Sequence, residues 1–379
     1  MLVLNEDQTM LGRTAKEFVE ASTPLARLRK LRDAKDLLAY SPDVWARMAD
    51  LGWLGIPFSE ADGGLALGLA DVVVVTEALG RLLAPEPFVA TVMLAGSVLS
   101  LGGNSEQKAA FLPALIEGKS RLALAQEERG SRADPHFCRT RAERVGGSFR
   151  ITGEKTPVLG GYGADAYLVV ARTSGGERDA AGLTVFVVPK GAAGLGVQAL
   201  RRVDSLNAAA VTLEGVEVPA SAVIGQVDQA FPLLVSALDR ATVALSGEML
   251  GGMEEALERT LVYLREREQF GVRIGSFQAL QHRAARLFVE VELSRSTVLA
   301  AARAVDEGAA NAQELVSVAK ARCSDAFILV ANEAVQMHAG IGMTDEYDIG
   351  FFLKRAKSAE ITFGDAAFHR DRFATLRKF

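Results

Sequence analysis

Hydrophobic periodicity changes twice along this chain, and that change limits the possible folds more than any single motif does. Apolar residues recur at helical spacing up to about residue 120 and again from about residue 228. Between these parts the segments are short, alternating or β-branched, and Gly, Pro and Asp separate them. The sequence therefore predicts an α+β fold with a helical N-terminal domain over 1–120, a central β domain over 121–227 and a C-terminal helical bundle over 228–379.

The individual segments follow from the same patterns. Asn5 and Ser41 are residue types that cap helices, so a helix is predicted directly after each. Residues 69–83 are predicted as helix, although the valines at 72–75 alone would favour a strand. Further helices are predicted at 106–115, 232–266, 277–306, 311–339, 347–360 and 366–377. Strands are predicted at 121–126, 139–145, 148–152, 166–171, 183–188 and 211–218, with 204–210 as a connection.

Charge and cysteine usage exclude several classes of protein. The formal net charge is -5 and no long basic run occurs, which argues against a nucleic-acid surface. The two cysteines, Cys138 and Cys323, cannot form a disulfide framework and suit a reducing compartment. The N-terminus turns acidic too early for a signal peptide, and no uncharged apolar run approaches the length of a membrane span. We therefore expect a cytoplasmic protein without membrane, nucleic-acid or metal partners.

Chemistry-bearing residues concentrate in the turn between the helices predicted at 232–266 and 277–306. Arg267 and Phe270 lie there, with amides at Gln269 and Gln278. A guanidinium suits a phosphate or pyrophosphate, and a nearby ring can cover a flat heterocycle. In the alternative interpretation, the positive charge of Arg267 stabilises the C-terminal end of the preceding helix through its dipole, and Phe270 fills the core. The residue types alone leave both interpretations open.

The order and spacing of these residues are more specific than the residue types alone. Arg-x-Gln-Phe-Gly at 267–271, followed by Phe277 and Gln278, resembles the flavin-contacting hairpin of the acyl-CoA dehydrogenase family. The order helical, β, helical also resembles that family, in which a four-helix bundle comes last. The resemblance implies FAD as cofactor, α,β-desaturation of an acyl-CoA thioester, and electron-transfer flavoprotein as acceptor.

A second stretch, residues 336–342, resembles the family's Gln-x-x-Gly-Gly-x-Gly segment, with Ala339 in place of one glycine. In the family this segment and the hairpin hold the adenine and pyrophosphate end of a FAD seated in the neighbouring subunit. Without the resemblance, this stretch indicates a helix C-cap, a surface amide and a structural His338. The cofactor-binding residues that the resemblance implies are Arg267, Gln269, Phe270, Phe277, Gln278, Gln336 and Gly340.

The residues that would contact a subunit's own flavin depart from the family pattern. Gln126 stands where a threonine would bond the edge of the flavin ring, and only Glu127, Gly130 and Ser131 of that motif survive. The family places an aromatic, a small residue and a hydroxyl residue after 153–155, where this chain has Thr-Pro-Val-Leu at 156–159. Proline donates no N–H and leucine has no hydroxyl.

The family's catalytic base is missing as well. Its Glu-Gly-Thr motif falls on Phe363-Gly364-Asp365, and a phenyl ring cannot accept a proton. Some members place the base on the preceding helix, at the position of Ala241 in this chain. Asp365 is either a relocated base or the N-cap of the helix from 366, and Asp239 has a similar capping interpretation. The sequence therefore assigns no catalytic residue.

Three hypotheses follow from this pattern of retention and loss. In the first, the chain is one subunit of a hetero-oligomeric FAD-dependent acyl-CoA dehydrogenase whose other chain carries the glutamate. It resembles the small subunit of pimeloyl-CoA dehydrogenase and the paired dehydrogenases of steroid side-chain degradation. In the second, it is a homo-oligomer with a relocated base. In the third, it is a non-catalytic acyl-CoA-binding or scaffold protein.

Overall fold

The computed structural model describes residues 4–379, and this part of the chain divides into two compact units. The sheet unit comprises Leu31–Leu67 and Pro85–Ala241. The helical unit comprises the described residues up to Lys30 together with Gly68–Ala84 and Thr242–Phe379. The N-terminal helices are thus shared between the units, and the predicted domain boundaries near 120 and 227 stay a prediction.

The sheet unit contains an eight-stranded mixed sheet with the order β6-β7-β3-β2-β4-β5-β8, and β1 pairs with β4 outside this path. The pairs β3–β7, β6–β7, β4–β5 and β2–β3 are antiparallel, whereas β1 and β2 run parallel to β4. This topology excludes a doubly wound parallel sheet. The strands are β1 (Leu122–Ala125), β2 (Arg141–Val145), β3 (Ser148–Leu159), β4 (Ala166–Arg172), β5 (Leu183–Pro189), β6 (Leu195–Arg201), β7 (Asn207–Pro219) and β8 (Val223–Ile224).

The sheet is larger than the sequence predicts. The predicted connection at 204–210 is wrong in its second half, because β7 already begins at Asn207 and its alanines pair with Leu159 and with β6. Alanine has a low strand propensity, so pairing with two neighbouring strands decides the conformation here. Strand β6 was not predicted at all. Its residues are half-buried or exposed, which leaves no apolar alternation to detect.

The helices include every predicted segment and three short ones that the sequence did not predict, at 25–33, 97–102 and 339–342. They are α1 (Glu6–Ser22), α2 (Leu25–Asp33), α3 (Pro42–Asp50), α4 (Leu69–Arg81), α5 (Ser97–Gly102), α6 (Ser105–Ile116), α7 (Phe231–Glu266), α8 (Gln278–Asp306), α9 (Ala312–Met337), α10 (Ala339–Gly342), α11 (Ile349–Ile361) and α12 (Ala366–Arg377). Val89–Gly96 forms an unpredicted π-helical segment. Helix α9 packs against α8, α11 and α12, which confirms a C-terminal helical bundle.

Capping residues define several of the predicted helix starts. Asn5 accepts a hydrogen bond from the Gln8 N–H at 2.7 Å and completes a capping box, and Ser41 caps α3. Helix α4 contains the valine run, and Val72, Val73 and Val75 are fully buried within it. No helix among residues 4–379 is both long enough and apolar enough to span a membrane.

Candidate functional site

The turn between α7 and α8 is a small β-hairpin. Strands β9 (Glu268–Gln269) and β10 (Val272–Arg273) pair antiparallel, and the Ile274 N–H donates to the Arg267 carbonyl at 2.9 Å. Phe270 and Gly271 connect the strands with φ of 57° and 77°, so both lie in the left-handed region that a tight two-residue hairpin requires. We call residues 267–274 the hairpin. Strands this short carry no periodicity, which is why the sequence predicted only a break between helices.

The hairpin presents its side chains to solvent. Phe270 is 91% exposed, and its ring meets that of Phe277 edge to face with centroids 6.3 Å apart. Arg267 and Gln269 are exposed as well. The Arg267 guanidinium has no hydrogen-bond or ion-pair partner within residues 4–379, and the Gln269 amide donates only to the Glu268 carbonyl at 2.7 Å. Phe270 therefore does not fill the core, and the alternative interpretation of this residue is wrong.

Residues 336–342, which we call the glycine segment, lie at the end of α9. Gln336 and Gly340 are exposed, and a Cβ built on Gly340 would meet no atom within 4 Å. Ala339 has φ of 54°, a left-handed conformation that glycine adopts far more readily. His338 is fully buried and its ring stacks on Tyr263 of α7 at 4.4 Å. Gln278, the remaining predicted residue, begins α8 and is exposed.

The residues that would surround a flavin ring in the sheet unit lie along β1 and β3. Gln126 follows β1 and is buried, since only 9% of its surface is exposed. Pro157 is exposed on β3 and Leu159 is half-buried. The pairing of β3 with β7 shifts register between Lys155 and Val158, so Pro157 lies in an irregular part of the strand where it donates no N–H.

Buried charged side chains hold the backbone near Gln126 in place. The Lys155 ammonium donates to Glu128 Oε1 at 2.6 Å and to the Gln126 carbonyl at 3.2 Å, and Lys155 is fully buried. Burial raises the pKa of Glu127, although the Ser131 hydroxyl donates to its carboxylate. Glu127 and Ser131 are therefore hydrogen-bonded to each other. This hydrogen bond does not replace the contacts to a flavin ring that Gln126, Pro157 and Leu159 lack.

Segment 360–365 has no carboxylate at position 363, where the family's base falls. Phe363 is half-buried with φ of 60°, and Asp365 Oδ1 accepts from the Phe368 N–H at 2.8 Å as the N-cap of α12. The capping interpretation of Asp365 is confirmed. That of Asp239 is wrong, because α7 begins at Phe231 and Asp239 lies in its interior. Ala241 is fully buried.

Two buried bases hold segment 360–365 by its carbonyls. Lys320 Nζ donates to the carbonyls of Glu360 and Gly364 at 2.9 and 2.7 Å, and burial lowers the pKa of this lysine to about 8. His369 Nε2 donates to the Phe363 carbonyl at 3.0 Å, and burial lowers its pKa to about 3. Sequence reasoning missed this pair. The available signal was a lysine on the buried face of α9, four residues after Val316.

Comparison with known proteins decides the family. Models of the acyl-CoA dehydrogenase N-terminal, middle and C-terminal domains match residues 5–119, 122–216 and 229–375. The chain belongs to the acyl-CoA dehydrogenase family. Members of this family are FAD-dependent oxidoreductases. The chain is 31% identical over 377 residues to mitochondrial isovaleryl-CoA dehydrogenase of Pongo abelii, covering 97% of this chain and 88% of that protein.

Two similar solved structures are complexes or pairs by their names. A variant of the Tcur3481-Tcur3483 steroid acyl-CoA dehydrogenase shares 30% identity with a TM-score of 0.87, covering 98% of each chain. The ChsE4-ChsE5 complex from Mycobacterium tuberculosis shares 29% identity with a TM-score of 0.88, covering 99% of this chain and 98% of the other. Paired assemblies therefore occur among this chain's structural neighbours.

The residues present fit FAD at the hairpin but not on the sheet. The hairpin offers an exposed guanidinium without a partner among residues 4–379, which suits a pyrophosphate. The flavin-ring side does not fit, because Pro157 has no N–H, Leu159 has no hydroxyl and Gln126 is buried.

Proposed function

We propose that this chain is the non-catalytic subunit of a hetero-oligomeric acyl-CoA dehydrogenase. Its hairpin and glycine segment bind the adenine and pyrophosphate end of a FAD. The partner chain holds the flavin ring of that FAD and supplies the catalytic glutamate. One observation carries the proposal: the Arg267 guanidinium is exposed and has no partner within the described chain, while Phe363 occupies the position of the base. The chain thus retains a group that can bind phosphate, Arg267, and has lost the proton acceptor at position 363.

The cofactor-binding residues of this proposal are those that the resemblance implies. Arg267 donates to the pyrophosphate, and Phe270 and Phe277 cover the adenine end through their exposed rings. Gln269, Gln278, Gln336 and the backbone at Gly340 supply exposed polar groups around them. FAD supplies the hydride acceptor in this chemistry, and electron-transfer flavoprotein reoxidises it.

An exposed apolar face on α8 supports assembly with a second chain. Phe288, Val289 and Leu293 are 58%, 51% and 49% exposed and lie within two turns of one another. Contiguous exposed apolar residues of this kind mark interaction surfaces. The same helix begins at Gln278, one of the residues of the proposed site.

The homo-oligomer with a relocated base has less support. Asp365 is the candidate base, and its carboxylate already caps α12. The scaffold hypothesis leaves the exposed Arg267 guanidinium without a role. The cytoplasmic setting stays part of the proposal, supported by two buried cysteines that are both free thiols.

Co-expression with a second acyl-CoA dehydrogenase chain that carries the catalytic glutamate tests the proposal. The complex should contain half as many flavins as chains and should reduce its flavin with acyl-CoA, whereas the isolated chain should do neither. As a matched control, Phe363→Glu in the isolated chain should not create activity, because Gln126, Pro157 and Leu159 are unchanged. One flavin per chain, or rapid flavin reduction by the isolated chain, would contradict the proposal.

A further inference from the structure

Three aromatic rings join the hairpin to the glycine segment. The His338 ring stacks on the Tyr263 ring with centroids 4.4 Å apart and lies tilted against the Tyr347 ring at 4.9 Å, and the two tyrosine rings meet edge to face at 6.3 Å. We call these three side chains the ring stack. Neither the family motifs nor the helical periodicity required these residues to meet, since Tyr263 and His338 lie on different helices.

The His338 ring has a fixed orientation. His338 is fully buried, and its Nδ1–H donates to the Ala334 carbonyl at 2.7 Å, one turn earlier along α9. Its Nε2 is buried without a hydrogen-bond partner among residues 4–379. Burial lowers the pKa of His338, so the ring is neutral. The histidine therefore cannot turn without losing its one hydrogen bond, and its fixed ring stacks on Tyr263 and packs at an angle against Tyr347.

Two members of the ring stack, Tyr263 and His338, lie next to segments of the proposed FAD site. The Tyr263 carbonyl accepts from the Arg267 N–H at 2.9 Å, which fixes the base of the hairpin to the turn that carries the tyrosine ring. His338 immediately precedes Ala339 and Gly340. The Arg267 side chain itself has no partner within the described chain that would hold it. The ring stack therefore connects the end of α7, which leads into the hairpin, to the start of the glycine segment.

We propose that the ring stack is a positioning device that sets the hairpin against the glycine segment so that both reach one dinucleotide. This inference rests on the proposed function. Tyr263, His338 and Tyr347 touch no cofactor in it, and they act through Arg267 and Gly340. The arrangement of two segments is favoured because each aromatic pair adds stability beyond the burial of its rings.

The test compares Tyr263→Leu, which removes a ring, with Tyr263→Phe, which keeps it. In the co-expressed complex we expect Tyr263→Leu to weaken FAD binding about tenfold and Tyr263→Phe to leave it unchanged. Tyr347→Leu removes another ring of the stack and should also weaken FAD binding. It replaces Tyr263→Leu in the test if that variant fails to fold. Equal affinities for all three variants would overturn the inference.

A double-mutant cycle separates positioning from a general loss of structure. If the stack acts through Arg267, Tyr263→Leu should cost little further affinity in an Arg267→Ala background, because coupled residues are not additive. Fully additive losses would overturn the inference. If Arg267→Ala alone leaves FAD affinity unchanged, the proposed function fails. If Arg267→Ala weakens binding and Tyr263→Leu does not, only the positioning role fails.

Amide exchange of the full chain without flavin provides a readout independent of FAD. Residues 267–274 should exchange faster in Tyr263→Leu than in Tyr263→Phe, since the hairpin would lose its connection to the glycine segment. Exchange in α12, which contributes no ring to the stack, should be the same in both variants. An unchanged hairpin would contradict the positioning role even if FAD affinity fell.

Discussion

Two Phe-Gly turns in the helical unit have nearly the same backbone and opposite surroundings. Phe270-Gly271 has φ of 57° and 77°, and Phe363-Gly364 has φ of 60° and 99°. Each places a bulky aromatic residue in the left-handed region, which is uncommon for such residues. Phe270 is 91% exposed, whereas Phe363 is half-buried and its carbonyl accepts from a buried histidine.

The difference shows where each conformation obtains its support. Lys320 and His369 hold the turn at Phe363 through three carbonyls from inside the protein. The turn at Phe270 has only its short ladder and an aromatic contact with Phe277 among the described contacts. Strained residues without internal support cluster where a ligand or partner completes the structure. The comparison therefore favours an external role for the hairpin and an internal role for segment 360–365.

The largest effect is expected from removing the internal support. Lys320→Met keeps most of the side-chain volume but leaves the carbonyls of Glu360 and Gly364 buried without their donor. Each unsatisfied buried group costs about 1–3 kcal/mol, so we expect about 3 kcal/mol lower stability. Urea unfolding of the full chain measures this. Arg267→Ala is the matched control at the other turn and should change stability by less than about 0.5 kcal/mol. Equal midpoints for Lys320→Met and the unchanged chain would remove the contrast between the turns.

The next effect concerns the external role of the hairpin. Arg267→Ala should weaken FAD binding in the co-expressed complex by roughly 10- to 100-fold, as expected for a charge-assisted hydrogen bond of about 1.5–3 kcal/mol. Phe270→Ala should weaken it less, through lost packing. Flavin titration of the apo complex measures both. A complex with Arg267→Ala that retains full affinity would show that the guanidinium lies away from the cofactor.

A pH dependence should distinguish the two turns as well. Burial, and secondly the Lys320 charge, lowers the pKa of His369 from 6.5 to about 3. Below about pH 6.5 this histidine is protonated in the unfolded chain but stays neutral in the folded chain. Its contribution to the free energy of unfolding is therefore complete above that pH and decreases as the pH falls toward 3. By pH 5.5 the loss should be about 1 kcal/mol. His369→Gln keeps an Nε2 donor without titrating, so its stability should change less between pH 7 and 5.5. Parallel pH profiles for the two proteins would contradict the assignment.

The sequence predicted the long helices because apolar spacing over tens of residues has few alternative explanations. Helix α7 was expected at 232–266 and spans Phe231–Glu266. Strand β6 and the start of β7 were missed, since half-exposed residues and alanines acquire strand conformation only from their neighbours. The order of the fold was therefore predictable, and the size of the sheet was not.

The proposed site divides in the same way. The sequence showed which residues the hairpin contains, because Arg267 and Phe270 lie within a few positions of each other. The support from Lys320 joins residues 44 positions apart, Lys320 and Gly364. The stacking of Tyr263 on His338 is equally long-range. Such contacts depend on how helices pack, and a single sequence carries no direct signal of them.

The smallest effect concerns the glycine segment, where Ala339 has a left-handed backbone without being glycine. Ala339 has φ of 54° and an exposed side chain, so its Cβ is strained and contributes little packing. Ala339→Gly should relieve about 1–2 kcal/mol of strain and lose roughly half of that to the greater freedom of the unfolded chain. We expect a net gain of about 0.5 kcal/mol in urea unfolding. Gly271→Ala is the opposite change at the hairpin, where φ is 77° and a Cβ would meet no atom within 4 Å, so it should destabilise by a similar amount. If Ala339→Gly lowered stability, the Cβ of Ala339 would be making a contact worth more than the strain, and this residue would belong with the supported turn at Phe363.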